Sequence, residues 1–336
     1  MKLEEIALNL TRRTLSAAAL ATLAAPSLGR PALAQGSNWP RERPINIIVP
    51  HAPGGGVDQM VRMIAPHVQQ QIPELRIVVE NRPGAASQIG TEVAYSARPD
   101  GYTLCASVMP TLMSMPLERR VRYDAKRFVY IANVVQDPGG LWVGGNSPFQ
   151  SLAQMLEAAK ASSGAVSVGT TGIGSDDHLL IVQLQQLAPG VQFNHVPFNG
   201  FAPVQTALLG GHINVGCFNM TEGLPGLRDG RLRALGIAAA ERVPAMKDTQ
   251  TFKEQGFDLI AGSQRGIIAP PGIPDDVRDR LIAAFSAAME SPGFKAEAQR
   301  VDMPIVPVLG DDFRKQVMEA ETHLQQLWQK SPWRDE

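Results

Sequence analysis

The feature that most constrains this chain is the alternation of short β-branched runs with apolar residues at helical spacing, separated by glycine- and proline-rich turns. Residues 45–49 form such a run, closed by Pro50. Beyond the next turn, Val57, Val61, Ile64, Val68 and Ile72 recur at spacings of four and three, one face of a helix, with Pro66 expected to interrupt it. The unit repeats: a strand over 76–80, a helix over 89–97 and a strand over 102–107. After Asp137-Pro138-Gly139-Gly140, read as a break, follow a helix capped by Ser151, a strand over 166–169 and a helix starting near Asp176. Further alternation covers 192–238. A strand over 266–269 then leads to two amphipathic helices over 274–289 and 311–329. A βαβα order predicts α/β architecture, with parallel sheets covered by helices and ligands at the loops that leave the strand C-termini.

Composition narrows the classes of function. The chain has 336 residues, room for two domains, and a net charge of −1, which offers no general attraction for nucleic acid. Past the N-terminus no apolar run approaches the ~20 residues that span a bilayer. Residues 1–34 read as an export signal: Arg12-Arg13, an apolar stretch, then Ala32-Leu33-Ala34 as a cleavage pattern, with the paired arginines hinting at the twin-arginine route. The expected location is the periplasm. Cys105 and Cys217 sit in apolar runs and read as core side chains rather than a disulfide, and the six histidines show no metal-ligand spacing, so neither metal nor cofactor is expected.

Two loops carry the chemistry. Ala52-Pro53-Gly54-Gly55-Gly56-Val57-Asp58 leaves a strand and opens a helix, so its amides and the positive helix end suit an anion, while the P-loop and dinucleotide patterns are absent. Thr170-Thr171-Gly172-Ile173-Gly174-Ser175 is its counterpart and adds hydroxyl donors. Ser175 reads as an N-cap, and Asp176 and Asp177 as first-turn acids favoured by the helix end. The rival reading is a hydrolase using Ser175 with His178, three residues apart, although G-x-S-x-G is missing.

These loops, with Pro44-Ile45-Asn46-Ile47-Ile48-Val49-Pro50, Val79-Glu80-Asn81-Arg82-Pro83-Gly84-Ala85, Arg98-Pro99-Asp100-Gly101-Tyr102-Thr103-Leu104, His178-Leu179, His195-Val196-Pro197-Phe198 and Ala269-Pro270-Pro271-Gly272, resemble the Bug-type (TctC-like) periplasmic solute receptors of tripartite tricarboxylate transporters over residues 39–308. The resemblance implies a periplasmic binding protein-like fold, two doubly wound α/β domains joined by crossing strands: domain 1 from 35–140 plus 263–336, domain 2 from 141–262. It further implies a small organic acid trapped between them, delivery to the membrane permease subunits, no catalysis and a monomeric receptor; a sensor presenting its ligand to a membrane kinase is the alternative on the same fold. The implied ligand contacts are Pro53, Gly54, Gly55, Gly56, Asp58, Ala85, Ala86, Ser107, Thr170, Thr171, Gly172, Gly174, Ser175 and His178. Arg265, where the resembled family often has an aromatic residue, is expected either to grip an anion directly or to be a solvated hinge side chain.

Overall fold

The first structural unit, β1 (Ile45–Val49) and α1 (Gly56–Gln69), forms where the periodicity places it, and in this computed structural model, which describes residues 38–333, Val57, Val61, Ile64, Val68 and Ile72 all lie in the core. Leu281 and Phe285 of α8 (Asp275–Glu290) cover the same face. The α1 helix continues through Pro66, contrary to the interruption expected there. The remaining elements are β2 (Ile77–Asn81), α2 (Gln88–Tyr95), β3 (Thr103–Met109), α3 (Thr111–Glu118), β4 (Val129–Gly144), α4 (Leu152–Ala161), β5 (Ser167–Thr170), α5 (Asp176–Leu187), β6 (Asn194–Pro197), α6 (Phe201–Leu209), β7 (Val215–Asn219), α7 (Met220–Arg228), β8 (Leu232–Ile237), β9 (Gly262–Ala269), α9 (Pro292–Arg300), β10 (Ile305–Leu309) and α10 (Gly310–Lys330). The expected export segment lies outside the described residues. Residues 39–333 form one compact unit.

One sheet runs through that unit in the order β2-β1-β3-β9-β4-β7-β5-β6, with β8 and β10 also paired to β4. The outer ladders are parallel, as βαβ connections require, whereas β9 pairs antiparallel with both β3 and β4. The fold is the mixed α/β architecture of periplasmic binding proteins, not a purely parallel pair of sheets. Where Asp137-Pro138-Gly139-Gly140 suggests a break, β4 instead continues for 16 residues and is shared by both ends of the sheet. Its first part pairs with β9 and β10, its last with β7 and β8, so pairing on both edges overrides the local turn preference. Pro138 faces Gly262 in this ladder, and a Cβ on Gly262 would lie 2.2 Å from the Asp137 carbonyl oxygen, so only glycine lets the two backbones approach this closely.

Apolar packing follows the two ends of the sheet. Leu152, Met155 and Leu156 of α4 and Leu180, Ile181 and Leu184 of α5 bury one cluster against Val168 and Val215. A further cluster joins Leu112 and Met113 of α3 and Trp333 to Leu179 and Val182 of α5. Cys105 and Cys217 are both free and buried, so each is a small core side chain.

Candidate functional site

Both glycine-rich loops leave the C-terminal ends of parallel strands and open helices. In the first, Pro53 and Gly54 are exposed, Gly55 is the N-cap of α1 with no side-chain cap, and Gly56 is buried. The Asp58 carboxylate turns back on its own loop. Its Oδ2 accepts from the Gly54 N–H at 2.9 Å, its Oδ1 from Asn81 Nδ2 at 2.8 Å, and Arg62 Nε is 2.9 Å from both oxygens. Hydrogen bonding and the Arg62 charge hold its pKa below the ordinary carboxylate value despite opposing desolvation.

Beside this loop, Ala85, Ala86 and Ser87 occupy consecutive left-handed conformations, with φ of 47°, 51° and 82°. Such a run costs of order 1–3 kcal/mol per residue and marks a strained turn beside the first loop. The Ser107 hydroxyl is buried at the C-terminal part of β3 with no partner inside the protein, and it borders a small cavity with Ser87, Thr91 and Pro50. His51 Nε2 is likewise buried and unpartnered; desolvation, then the Arg265 charge, lowers that imidazole's pKa to about 4, which keeps it neutral.

Arg265 is the centre of the arrangement. Only 2% exposed, it is buried rather than the solvated hinge side chain that the sequence left open. Its Nη2 lies 3.0 Å from Asp137 Oδ2 and donates to Asn219 Oδ1 at 3.1 Å. Its Nη1 has no partner inside the protein and faces the start of α1, since a Cβ on Gly56 would sit 2.3 Å from it. A cationic N–H and the positive end of a helix thus lie side by side, and both suit an anion. Asp137, whose side chain also accepts from the Thr221 N–H and hydroxyl, anchors the guanidinium.

The second loop spends its donors internally. The Thr171 hydroxyl donates to Asp177 Oδ2, and the Thr171 N–H is 3.4 Å from the same oxygen. Thr170 Oγ1 lies 2.7 Å from His195 Nε2. Ser175 is the N-cap of α5, accepting from the His178 N–H at 3.2 Å, and the Ser175 N–H donates to the Gly172 carbonyl. His178 Nδ1 accepts from the Gly174 N–H at 3.1 Å, and its ring stacks on His195 at 3.9 Å; burial brings its pKa down to about 3. Gly172 meets the first loops, because a Cβ there would lie 3.6 Å from the Ala86 methyl, and Ser114 of α3 donates to the Gly174 carbonyl. The structure thus joins Gly56 to Arg265, Ala86 to Gly172 and Ser107 to the Ser87 turn, while Pro53, Gly54 and Ala85 are exposed.

Sequence reasoning missed Asp137, Asn219 and Glu222. Asn219 opens α7 and bridges Arg265, Ser263 and Asp176, while Glu222 closes a capping box with it. Desolvation raises the pKa of Asp137, Asp176 and Asp177, the last also through the Asp176 and Glu222 charges, and pushes Glu222 up to about 7. A separate cavity lined by Gln150, Arg233, Met246 and Gln255 lies on other elements and shares no residue with these loops.

The fold is that of periplasmic binding proteins. The chain belongs to the tripartite tricarboxylate transporter family receptors, whose family profile matches residues 60–331. It is 32% identical to BugT of Bordetella pertussis over 253 residues, covering 74% of this chain and 77% of that protein. Among solved structures, it is similar to the periplasmic binding protein BugD, at 26% identity and a TM-score of 0.79 with 88% of this chain and 99% of the other covered. MatC from Rhodopseudomonas palustris, solved with bound malate, shares the fold at 24% identity and a TM-score of 0.77, with 85% and 98% covered. The chain is a solute receptor of this family, and receptors of the family are periplasmic.

Proposed function

We propose that the protein binds a small organic carboxylate between two closing domains, residues 35–140 with 263–336 and residues 141–262, and delivers it to the membrane permease subunits of a tripartite transporter. The observation that carries the reading is the buried Arg265 Nη1, unpartnered inside the protein and aimed at the uncapped start of α1. A carboxylate there accepts from a guanidinium and from backbone amides at once, and the strained Ala85–Ala86–Ser87 turn and the Ser107 hydroxyl add donors on the same side. Malate in MatC is a ligand of this chemical class in the same fold.

The hydrolase alternative finds no support in the Ser175–His178 geometry. The Ser175 oxygen accepts from the His178 backbone, while the imidazole Nδ1 is engaged by Gly174 and too weakly basic at a pKa of about 3 to take a proton from serine. We read the protein as a receptor without chemistry on its ligand. A thermal-shift screen over mono-, di- and tricarboxylates, amino acids and aromatic acids tests this: a bound acid raises the melting temperature by mass action, and no shift with any carboxylate would count against the reading.

A further inference from the structure

Residues 331–333, beyond α10, reach the second glycine-rich loop. Near the start of α10, Phe313 packs edge-on against Tyr130 of β4, ring centroids 5.2 Å apart, which fixes the helix to the part of the sheet where β4 pairs with β9. Ser331-Pro332-Trp333 stops the helix at its other end, because Pro332 has no N–H for a helical carbonyl and disfavours the helical conformation at Ser331, which takes φ −146°. The turn carries Trp333 back edge-on against Trp328, 4.7 Å between centroids, and leaves it only 3% exposed. Its ring meets the loop there: a Cβ on Gly174 would lie 3.4 Å from Trp333 Nε1, 3.3 Å from Ser114 Oγ and 3.0 Å from Glu118 Oε2, the last two on α3. The Ser114 hydroxyl donates to the Gly174 carbonyl, and Gln186 Nε2 of α5 donates to Ser331 Oγ at 2.7 Å. Trp333 Nε1 has no partner among the described residues, so packing holds the ring, with Leu179 and Val182 of α5 in the same buried cluster.

We propose that Trp333 is a positioning residue of the ligand site: residues 331–333 strap the second glycine-rich loop to α3 and hold the loop in the arrangement that receives ligand. The inference rests on the binding reading above for the ligand, not for the strap. Gly172 and Gly174, at φ of 143° and 68°, leave the loop backbone many alternative conformations, so its shape depends on contacts from outside. Removing the indole ring frees Gly174 on one side. The loop then spends part of its time elsewhere, and apparent affinity falls in proportion to the fraction of molecules still competent to bind.

Two measurements on the full chain test it. Hydrogen exchange without ligand compares the wild type with Trp333→Ala: amides of residues 172–178 should exchange at least about tenfold faster in the variant and those of 54–58 at the same rate, because local loosening, unlike a general loss of stability, is confined to one segment. Calorimetric titration with the acid that most raises the melting temperature should give an affinity about tenfold weaker in Trp333→Ala. Trp333→Phe should restore it to within about threefold, since it keeps an aromatic ring and gives up only an N–H that has no acceptor. Trp333→Leu, a smaller cut, should act like the alanine variant and replaces it in both measurements if that variant does not fold. Unchanged affinity, or unchanged exchange at 172–178, in a folded variant would overturn the inference. Binding of no acid by the wild type would remove the carboxylate reading and leave the exchange comparison to decide the strap.

Discussion

At the scale of single residues, Arg265 holds a buried ion pair with Asp137 and, in the proposed reading, the ligand's carboxylate as well. Arg265→Met leaves Asp137 as a buried unpaired acid, so stability should fall by about 3–5 kcal/mol in denaturant titration, and the double variant with Asp137→Leu should recover most of the loss. An uncorrected loss in the double variant would show that the pair is not what Arg265 contributes. Ser175→Ala removes the cap of α5 and should cost about 1 kcal/mol. Glu222 supplies a pH signature. Its pKa is about 7 in the folded chain against 4.5 for the free group, so the stability it contributes is present below pH 4.5 and lost as pH rises towards 7. Glu222→Gln, which retains a carbonyl oxygen for the Asn219 N–H, should therefore lose part of the decline in melting temperature between pH 5 and 8, and parallel profiles would contradict the assignment. The Thr171–Asp177 contact spans six residues and was open to a local reading, but acids are favoured in any first helical turn, and that adequate explanation hid the more specific one.

At the scale of elements, the strand–loop–helix units were legible because their signals are local. The β1–α1 unit, the caps at Ser151 and Ser175 and both glycine-rich loops follow from spacing and capping alone. What escaped depends on partners distant in sequence. Asp137-Pro138-Gly139-Gly140 reads as a turn, yet pairing with β9 on one side and with β7 and β8 further along makes it the middle of β4. Helix α3, strand β10 and helix α9 also escape a local reading; β10 pairs with part of β4, a contact that no local pattern announces. The loop–helix junction at α1 gives the element-scale prediction. Gly56→Ala places a methyl 2.3 Å from a buried, ion-paired guanidinium, so Arg265 must shift, and stability should drop by about 1–3 kcal/mol by thermal unfolding, with ligand affinity falling as well. A variant with unchanged melting and binding would mean that Arg265 does not sit against α1 in solution.

At the scale of the whole molecule, the two loops are of unequal character: the first has unspent donors, and the second has donors held by its own Asp177 carboxyl group. β4 and β9 pair at Pro138 and Gly262, where a side chain in place of Gly262 would run into the Asp137 carbonyl. Closure about Gly139-Gly140 and Ala261-Gly262 should reduce the radius of gyration on ligand addition, and identical scattering curves with and without ligand would argue for a cleft that does not move. The central claim is that a carboxylate is held jointly by Arg265 and by backbone amides at the start of α1. Calorimetric titration of the wild type beside Gly56→Ala with the acid that most raises the melting temperature tests it most directly. One-to-one binding by the wild type, weakened at least about tenfold in the variant (~1.4 kcal/mol), is the result the account predicts, and equal affinity in a folded Gly56→Ala protein would contradict it.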